Sequence, residues 1–202
     1  MMNPASRWCA RPVIIRGPLT PAELERLAMH PGLVNFRSPP RQHEALKAIA
    51  ALEGGRVIAA CHNQTIVAYL TLHPPTPFQR WSRLEGALEL GGIEVARPWR
   101  RRGVGAALMA ATFEDPALED CIVISSEYCW HWDLGGSGLD VWDYREMLGR
   151  FFARYGLQQY QTDEPNITGH PANMLMARIG SRVPPQRVAQ FEGLLFLGEE
   201  EV

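Results

Sequence analysis

The 202-residue sequence predicts a mixed α/β domain, one central sheet with helices on both faces, and three observations carry that expectation. Apolar residues recur at helical spacing in some segments and alternate or run together in others, in the order of a strand pair and then β-α-β-α-β-β. The chain is 46% hydrophobic, enough for one sizeable core. It contains no internal repeat, low-complexity tract or linker. Residues 1–202 therefore read as one domain, with a core over about 12–180 and a helical tail over about 184–198.

Taken in order, Pro12 to Arg16 is a short strand, and Thr20-Pro21-Ala22-Glu23 has the form of a capping box with proline at the first helical position. The helix it opens is expected to run to about His30. Ser38-Pro39 opens a second helix, with Ala45, Leu46, Ile49 and Leu52 at helical spacing until Gly54-Gly55. The period then changes. Arg56 to Cys61 and Thr65 to Leu72 are strands joined by His62-Asn63-Gln64, a hairpin. The proline-rich stretch His73 to Gly86 is read as a loop. Ala87 to Val95 (ALELGGIEV) is a strand interrupted by two glycines, the usual mark of a bulge or a close backbone approach. Gly103 to Phe113 is a helix, Cys121 to Ser126 a buried strand and Asp140 to Tyr155 an amphipathic helix. Leu157 to Thr162 and Asn173 to Ile179 are the last two strands.

Charge narrows the function. With 20 basic and 22 acidic residues and a formal charge of -2, the overall balance favours neither nucleic acid nor membrane as a partner. No segment approaches the ~18 uninterrupted apolar residues of a membrane span, and the start MMNPASRWCARP lacks the apolar core of a secretory signal. A soluble cytoplasmic protein is expected. Cys9, Cys61, Cys121 and Cys129 form no CxxC and are read as reduced thiols.

The dense basic run Arg97 to Arg102 is local, and it ends on glycines that open a helix. Such a turn leaves backbone N–H groups free at a helix N-terminus, where they and the helix dipole attract phosphate oxygens, and arginines add charge-assisted donors. There is no Gly-Lys-Ser/Thr of a P-loop, and GVGAAL lacks the third glycine of a dinucleotide fingerprint. A solvated basic turn with glycines for packing is the plainer alternative.

Arg100-Arg101-Arg102-Gly103-Val104-Gly105 matches the R/Q-x-x-G-x-G/A signature of the GCN5-related N-acetyltransferases (GNAT), and the element order resembles that fold over about residues 12–180. Four further segments are similar to the acetoin utilization acetyltransferases: HPGLVNFR (30–37), EYCWHWDL (127–134), VWDYREM (141–147) and TDEPNITGHPANMLMARIG (162–180). The resemblance implies a GNAT fold with about six to seven strands, the fourth bulged. It implies acetyl-CoA as co-substrate and an acceptor lysine on a protein, acetyl-CoA synthetase, which those enzymes switch off; no metal is expected. Acetylation of a small amine and a silent acetyl-CoA-binding regulator remain alternatives.

By the same resemblance, Arg100, Arg101, Arg102, Gly103, Val104, Gly105 and Ala106 would hold the pyrophosphate, and the main chain of Ile93 and Val95 the pantetheine. Counting back from Arg100 places Glu89 where histone-acetylating members carry their base. Glu94 competes with it, and five residues apart on a strand the two point to opposite faces unless a bulge at Gly91-Gly92 shifts the phase. Phe152 stands where many members have a thiolate-protonating tyrosine, leaving Tyr128 and Tyr144 as substitutes. In CWHWDLGG, Cys129, His131 and Asp133 would need a fourth ligand such as His170 to bind zinc, and Cys129 with His131 makes a poor nucleophilic pair. The preferred reading makes Trp130, His131, Trp132 and Asp133 an acceptor-side wall that receives a cationic lysine; indoles that merely cover the core are the alternative. Asp163-Glu164-Pro165 and His170-Pro171 would border the same groove or form a solvated turn.

Overall fold

The computed structural model describes residues 12–198; Cys9 and most of the N-terminal stretch considered above lie outside the described residues. The strands are β1 (Ile14–Arg16), β2 (Ala28–Met29), β3 (Arg56–His62), β4 (Thr65–His73), β5 (Ala87–Val95), β6 (Ile122–Glu127), β7 (Gln158–Tyr160) and β8 (Met174–Ile179). The helices are α1 (Pro21–Glu25), α2 (Pro39–Ala50), α3 (Val104–Phe113), α4 (Leu134–Ser137), α5 (Val141–Ala153), α6 (Pro165–Thr168) and α7 (Pro185–Leu195). The sheet runs β1-β3-β4-β5-β6-β8-β7, with β2 also on β4. Its pairs are antiparallel except β5–β6 and β2–β4.

Local chemistry explains most boundaries. Thr20 and Glu23 form the reciprocal capping box at the start of α1. The helix does not reach His30: Ala28 N–H donates to Gln64 O (2.8 Å) and His30 N–H to Ile66 O (2.9 Å), so a ladder on β4 takes the residues that helical spacing assigned to α1. This short β2 makes the expected fourth strand the fifth. The stretch after β4 is not wholly irregular either, since a 3-10 turn over Arg80–Arg83 buries Trp81 against Phe191 of α7. Asn63, at φ 56°, turns the β3–β4 hairpin.

The bulge lies at the paired glycines. Thr71 pairs with Gly92 and Leu72 with Leu90, leaving Gly91 unmatched, and a Cβ on Gly91 would run into the His73 imidazole. The consequence is a change of phase. Glu89 lies opposite His73 and Glu94 opposite Tyr69, and those partners are four apart on β4, so both glutamates face the same side.

Apolar layers lie on both sides of the sheet. Val123, Met174 and Met176 pack with Leu108 of α3 and with Leu148 and Phe152 of α5, whereas Ile122 and Ile124 pack with Trp81 and α7. At about 25 cal/mol per Å² of buried apolar surface, it is these faces, and not the exposed arginines, that hold β5 and β6 in place. Among the described residues, no helix is long and apolar enough to cross a membrane.

Candidate active site

β5 and β6 pair as parallel neighbours only from Ala87–Ile122 to Glu89–Ile124, and beyond that point they diverge. The bulge bends β5 away, and β6 stays with β8 as far as Glu127 opposite Met174. A cavity of about 110 Å³ fills the split, lined by Asn35 and Phe36, the bulge, the end of β6, the 128–132 turn and α5. That is small against the ~300–1,000 Å³ of sites for drug-sized ligands. It suits a two-carbon acyl group and the tip of an amine.

Along the split, β5 offers main-chain groups. Ala96 N–H donates to Val67 O (2.9 Å), so by the alternation of an antiparallel ladder Glu94 and Ala96 spend their groups on β4. Ile93 and Val95 therefore present theirs to the open edge, in a position to pair with an extended ligand. Their side chains point toward α3, since a Cβ on Gly105 would meet Val95 Cγ2 at 3.7 Å and Ile93 Cδ1 at 4.0 Å. The edge is not wholly free: the Val95 carbonyl accepts Arg100 Nε (2.8 Å).

The basic turn follows directly. Arg101 (φ 57°) and Gly103 (φ 76°) are left-handed, and Gly103 caps α3 with no side chain competing for its first N–H groups. Val104, Gly105 and Ala106 form the first turn of α3, so the run from Gly103 to Ala106 is a helix N-terminus open to an anion. The three arginines differ. Arg102 lies over the Trp99 ring (5.7 Å) and Arg101 is exposed, both with guanidiniums at the surface. Arg100 bonds Val95 O and Asp133 Oδ2 (2.6 Å), so its side chain braces the turn from within.

The same ion pair engages Asp133. Its carboxylate holds Arg100, lies 3.5 Å from Arg97 and accepts Gly136 N–H at the start of α4. Burial pushes its pKa up, but the Arg100 guanidinium and the Gly136 N–H outweigh it and hold the group below the usual carboxylate range. Both of its oxygens are thus engaged by neighbours within the fold. The Asp163 side chain is likewise spent on Arg80 and on Gly198 N–H, and Glu164 caps α6. His170 Nδ1 accepts Ala172 N–H within its own turn. That loop braces the site through Asn173, whose Oδ1 accepts Cys129 N–H (2.8 Å), and does not line the cavity.

CWHWDLGG is not strand: Cys129–His131 form a 3-10 turn. Its two indoles part company. Trp132 stacks on Tyr144 of α5 (5.2 Å), with its Nε1 buried and making no full hydrogen bond. Trp130, 57% exposed, stacks on Tyr128 (4.9 Å), and His131 lies at the cavity mouth beside Phe36. Trp132 both packs against the core and lines the cavity, whereas Trp130 lies exposed outside the lining. Among the described residues, no group of three His, Cys, Asp or Glu side chains could hold a metal ion.

The carboxylates are sorted by their partners. Glu94 accepts Asn35 N–H on Oε1 (2.8 Å) and the Tyr69 hydroxyl on Oε2 (2.7 Å), and Asn35 Nδ2 in turn donates to His131 O (2.8 Å). Both its oxygens thus fasten the mouth. Glu89 accepts only Gln79 Nε2, on Oε1 (2.6 Å), and burial raises its pKa against the opposing His73 and Gln79. Neither lines the cavity itself; they flank it on the side away from α3. A third, Glu127, does line it, and sequence reasoning gave it no role. The signal was present: Val123, Ser125 and Glu127 alternate onto one face of a strand that turns polar at its end.

A split parallel pair with a free strand edge and a phosphate-type turn is the binding apparatus of an acyl-coenzyme A-dependent transferase. The sequence model of the "Acetyltransferase (GNAT) family" matches residues 22–127. The chain belongs to that family, in the branch of the acetoin utilization proteins. It is 45% identical to acetoin utilization protein AcuA of Bacillus licheniformis and equally to that of Bacillus subtilis, over 91% of this chain and 89% of each relative. The crystal structure of an acetoin utilization protein from Exiguobacterium sibiricum superposes with a TM-score of 0.90 at 45% identity, covering 94% of this chain and 91% of that one. The protein is an N-acetyltransferase of acetoin utilization, and acetyl-CoA is the co-substrate of its family.

Proposed function

We propose that the protein transfers acetyl from acetyl-CoA to the ε-amine of a lysine on another protein, acetyl-CoA synthetase, in the cytoplasm. The observation that carries this reading is the acceptor mouth. It is lined by Asn35, Phe36 and His131, whose chain neighbours Val34 (60% exposed) and Trp130 (57%) are exposed and apolar, and such surroundings suit a lysine carried on a protein surface.

Acetyl-CoA supplies the activated acyl group. Gly103 to Ala106 and the guanidiniums of Arg101 and Arg102 hold its phosphates, Ile93 and Val95 pair with the pantetheine, and a β5 N–H at the split polarises the thioester carbonyl. A lysine with pKa near ~10.4 must lose a proton before it attacks. Glu89 takes it, directly or through a water, because it keeps an oxygen without a hydrogen-bond partner among the described residues, whereas both Glu94 oxygens are engaged.

Incubation with radiolabelled acetyl-CoA and purified acetyl-CoA synthetase, beside a panel of polyamines, tests the assignment. Label in the synthetase, with loss of its activity, is expected. Label confined to polyamines makes the acceptor a small amine. Acetyl-CoA binding without transfer to either makes the protein a binding regulator.

A further inference from the structure

We infer that Glu127, on the α5 side of the split between β5 and β6, is the general acid that protonates the departing coenzyme A thiolate. The inference rests on the transfer reading above, and three placements carry it.

The first is the face. Glu127 continues the alternation Val123, Ser125, and its strand neighbours Met174 and Met176 pack with α3 and α5. The phosphate turn and the side chains of Ile93 and Val95 lie on that side as well. Glu89 and Glu94 face the other side. A thioester laid along the β5 edge therefore keeps its sulfur on the Glu127 side and meets the amine from the glutamate pair's side.

The second is access. Glu127 lines the cavity and keeps partial exposure through it. Phe152 has no proton to give and is fully buried away from the cavity. Tyr144 is the other acid on this wall, but it is stacked flat on Trp132 and hydrogen-bonded by the Asp133 backbone.

The third is the company Glu127 keeps. Ser125 Oγ donates to its Oε1 (2.5 Å) from the same strand, and Trp132 flanks it. Tyr128 and, from α5, Tyr144 are the titratable groups beside it; Arg100 and Asp133 lie beyond Tyr144 and neutralise one another. Among the described residues no cation pairs with it. Burial accordingly raises its pKa, against the opposing Ser125 hydroxyl and Trp132 indole N–H.

The step balances. Glu89, having taken the ammonium proton, passes it to solvent; the amine nitrogen then bonds the carbonyl carbon and its surplus proton passes to Glu89 in turn. The carbon–sulfur bond breaks, sulfur keeps the electron pair and takes the Glu127 proton, and amide and thiol leave. Glu89 then returns a proton to solvent and Glu127 regains one.

The test compares acetyl-CoA with its selenoester analogue, whose more acidic leaving group needs no proton. E127Q should lose about 100-fold in turnover with the thioester, the lower end of general acid–base contributions, and under about tenfold with the selenoester, at unchanged acetyl-CoA affinity. Equal losses with both donors, or none, overturn the assignment; a Y144F variant that shows the donor-selective loss transfers it to Tyr144. S125A supplies a second measurement. Removing that hydroxyl raises the Glu127 pKa, so the limb on which activity falls with rising pH should move upward, and an unmoved limb overturns the assignment. The free protein should also show the infrared band of a neutral carboxylic acid persisting to higher pH than an ordinary glutamate allows, absent in E127Q; no such band overturns it. A wild type that acetylates no amine with either donor overturns the transfer reading itself, whereas an active wild type with an indifferent E127Q overturns only the acid.

Discussion

The two ends of the β5–β6 pair are built from the same residue types and do opposite things. At the closed end, Ala87–Glu89 meet Ile122–Ile124, and just ahead of β6 Glu119 sits between the Arg178 guanidinium and Ser181 N–H (2.7 Å). Those donors push its carboxyl down to about 2 and keep it charged. At the open end, eight residues along the chain, Glu127 has one hydroxyl donor and a wall of protein, and its pKa moves the other way. A carboxylate given cations and N–H groups acts as a clamp; one given burial and a cavity holds a proton more tightly.

The largest effect is expected at Glu89, which stands at the junction of the two ends. E89Q should lower turnover by about 10²–10⁴-fold with acetyl-CoA binding retained, as isothermal titration would measure. Because burial raises the Glu89 pKa and a base must be deprotonated, wild-type activity should climb with pH on a limb displaced above the ordinary carboxylate value, and E89Q should lose that limb. An intact limb in E89Q and its loss in a folded E94Q would move the base to Glu94. Next in size is E94A. It strands the buried Tyr69 hydroxyl and the Asn35 N–H, at roughly 2–4 kcal/mol for two unpaired groups, read from urea unfolding. Asn35 also holds His131 O, so the same variant should loosen the acceptor mouth and weaken acceptor binding.

What the sequence disclosed follows the range of the interactions involved. The capping box, the hairpin, the bulged strand and the glycine-ended basic turn are encoded within a few residues, and each appears where spacing put it. Asp133 could not be read, because its partner Arg100 is 33 residues away and only the folded chain brings them to 2.6 Å. Glu94 was ambiguous for the same reason, since Asn35 and Tyr69 lie 59 and 25 residues off. Helical spacing overran at α1 because the backbone of residues 28–30 found a ladder on β4, a tertiary gain that local propensity does not register. Glu127 was in plain view at the end of an apolar strand; α5 and the glycine bulge were each legible locally, but that they meet Glu127 around one cavity is a tertiary fact.

The smallest effect lies at the closed end, and it tests whether the clamp is electrostatic. Glu119 is near the surface, so solvent screens its pair with Arg178, and E119Q should cost no more than about 1 kcal/mol at pH 7. The pH dependence is the sharper observable. A folded-state pKa near 2 against an ordinary 4.5 means that the unfolded chain binds the proton first as pH falls. The stabilisation is therefore complete above about 4.5 and drains away as pH drops toward 2. Urea midpoints of wild type and E119Q should differ at pH 7 and converge over that window, with turnover at neutral pH nearly unchanged. A difference that persists at the acid end would make the contribution of Glu119 one of packing, in contact with Arg178 but not through its charge.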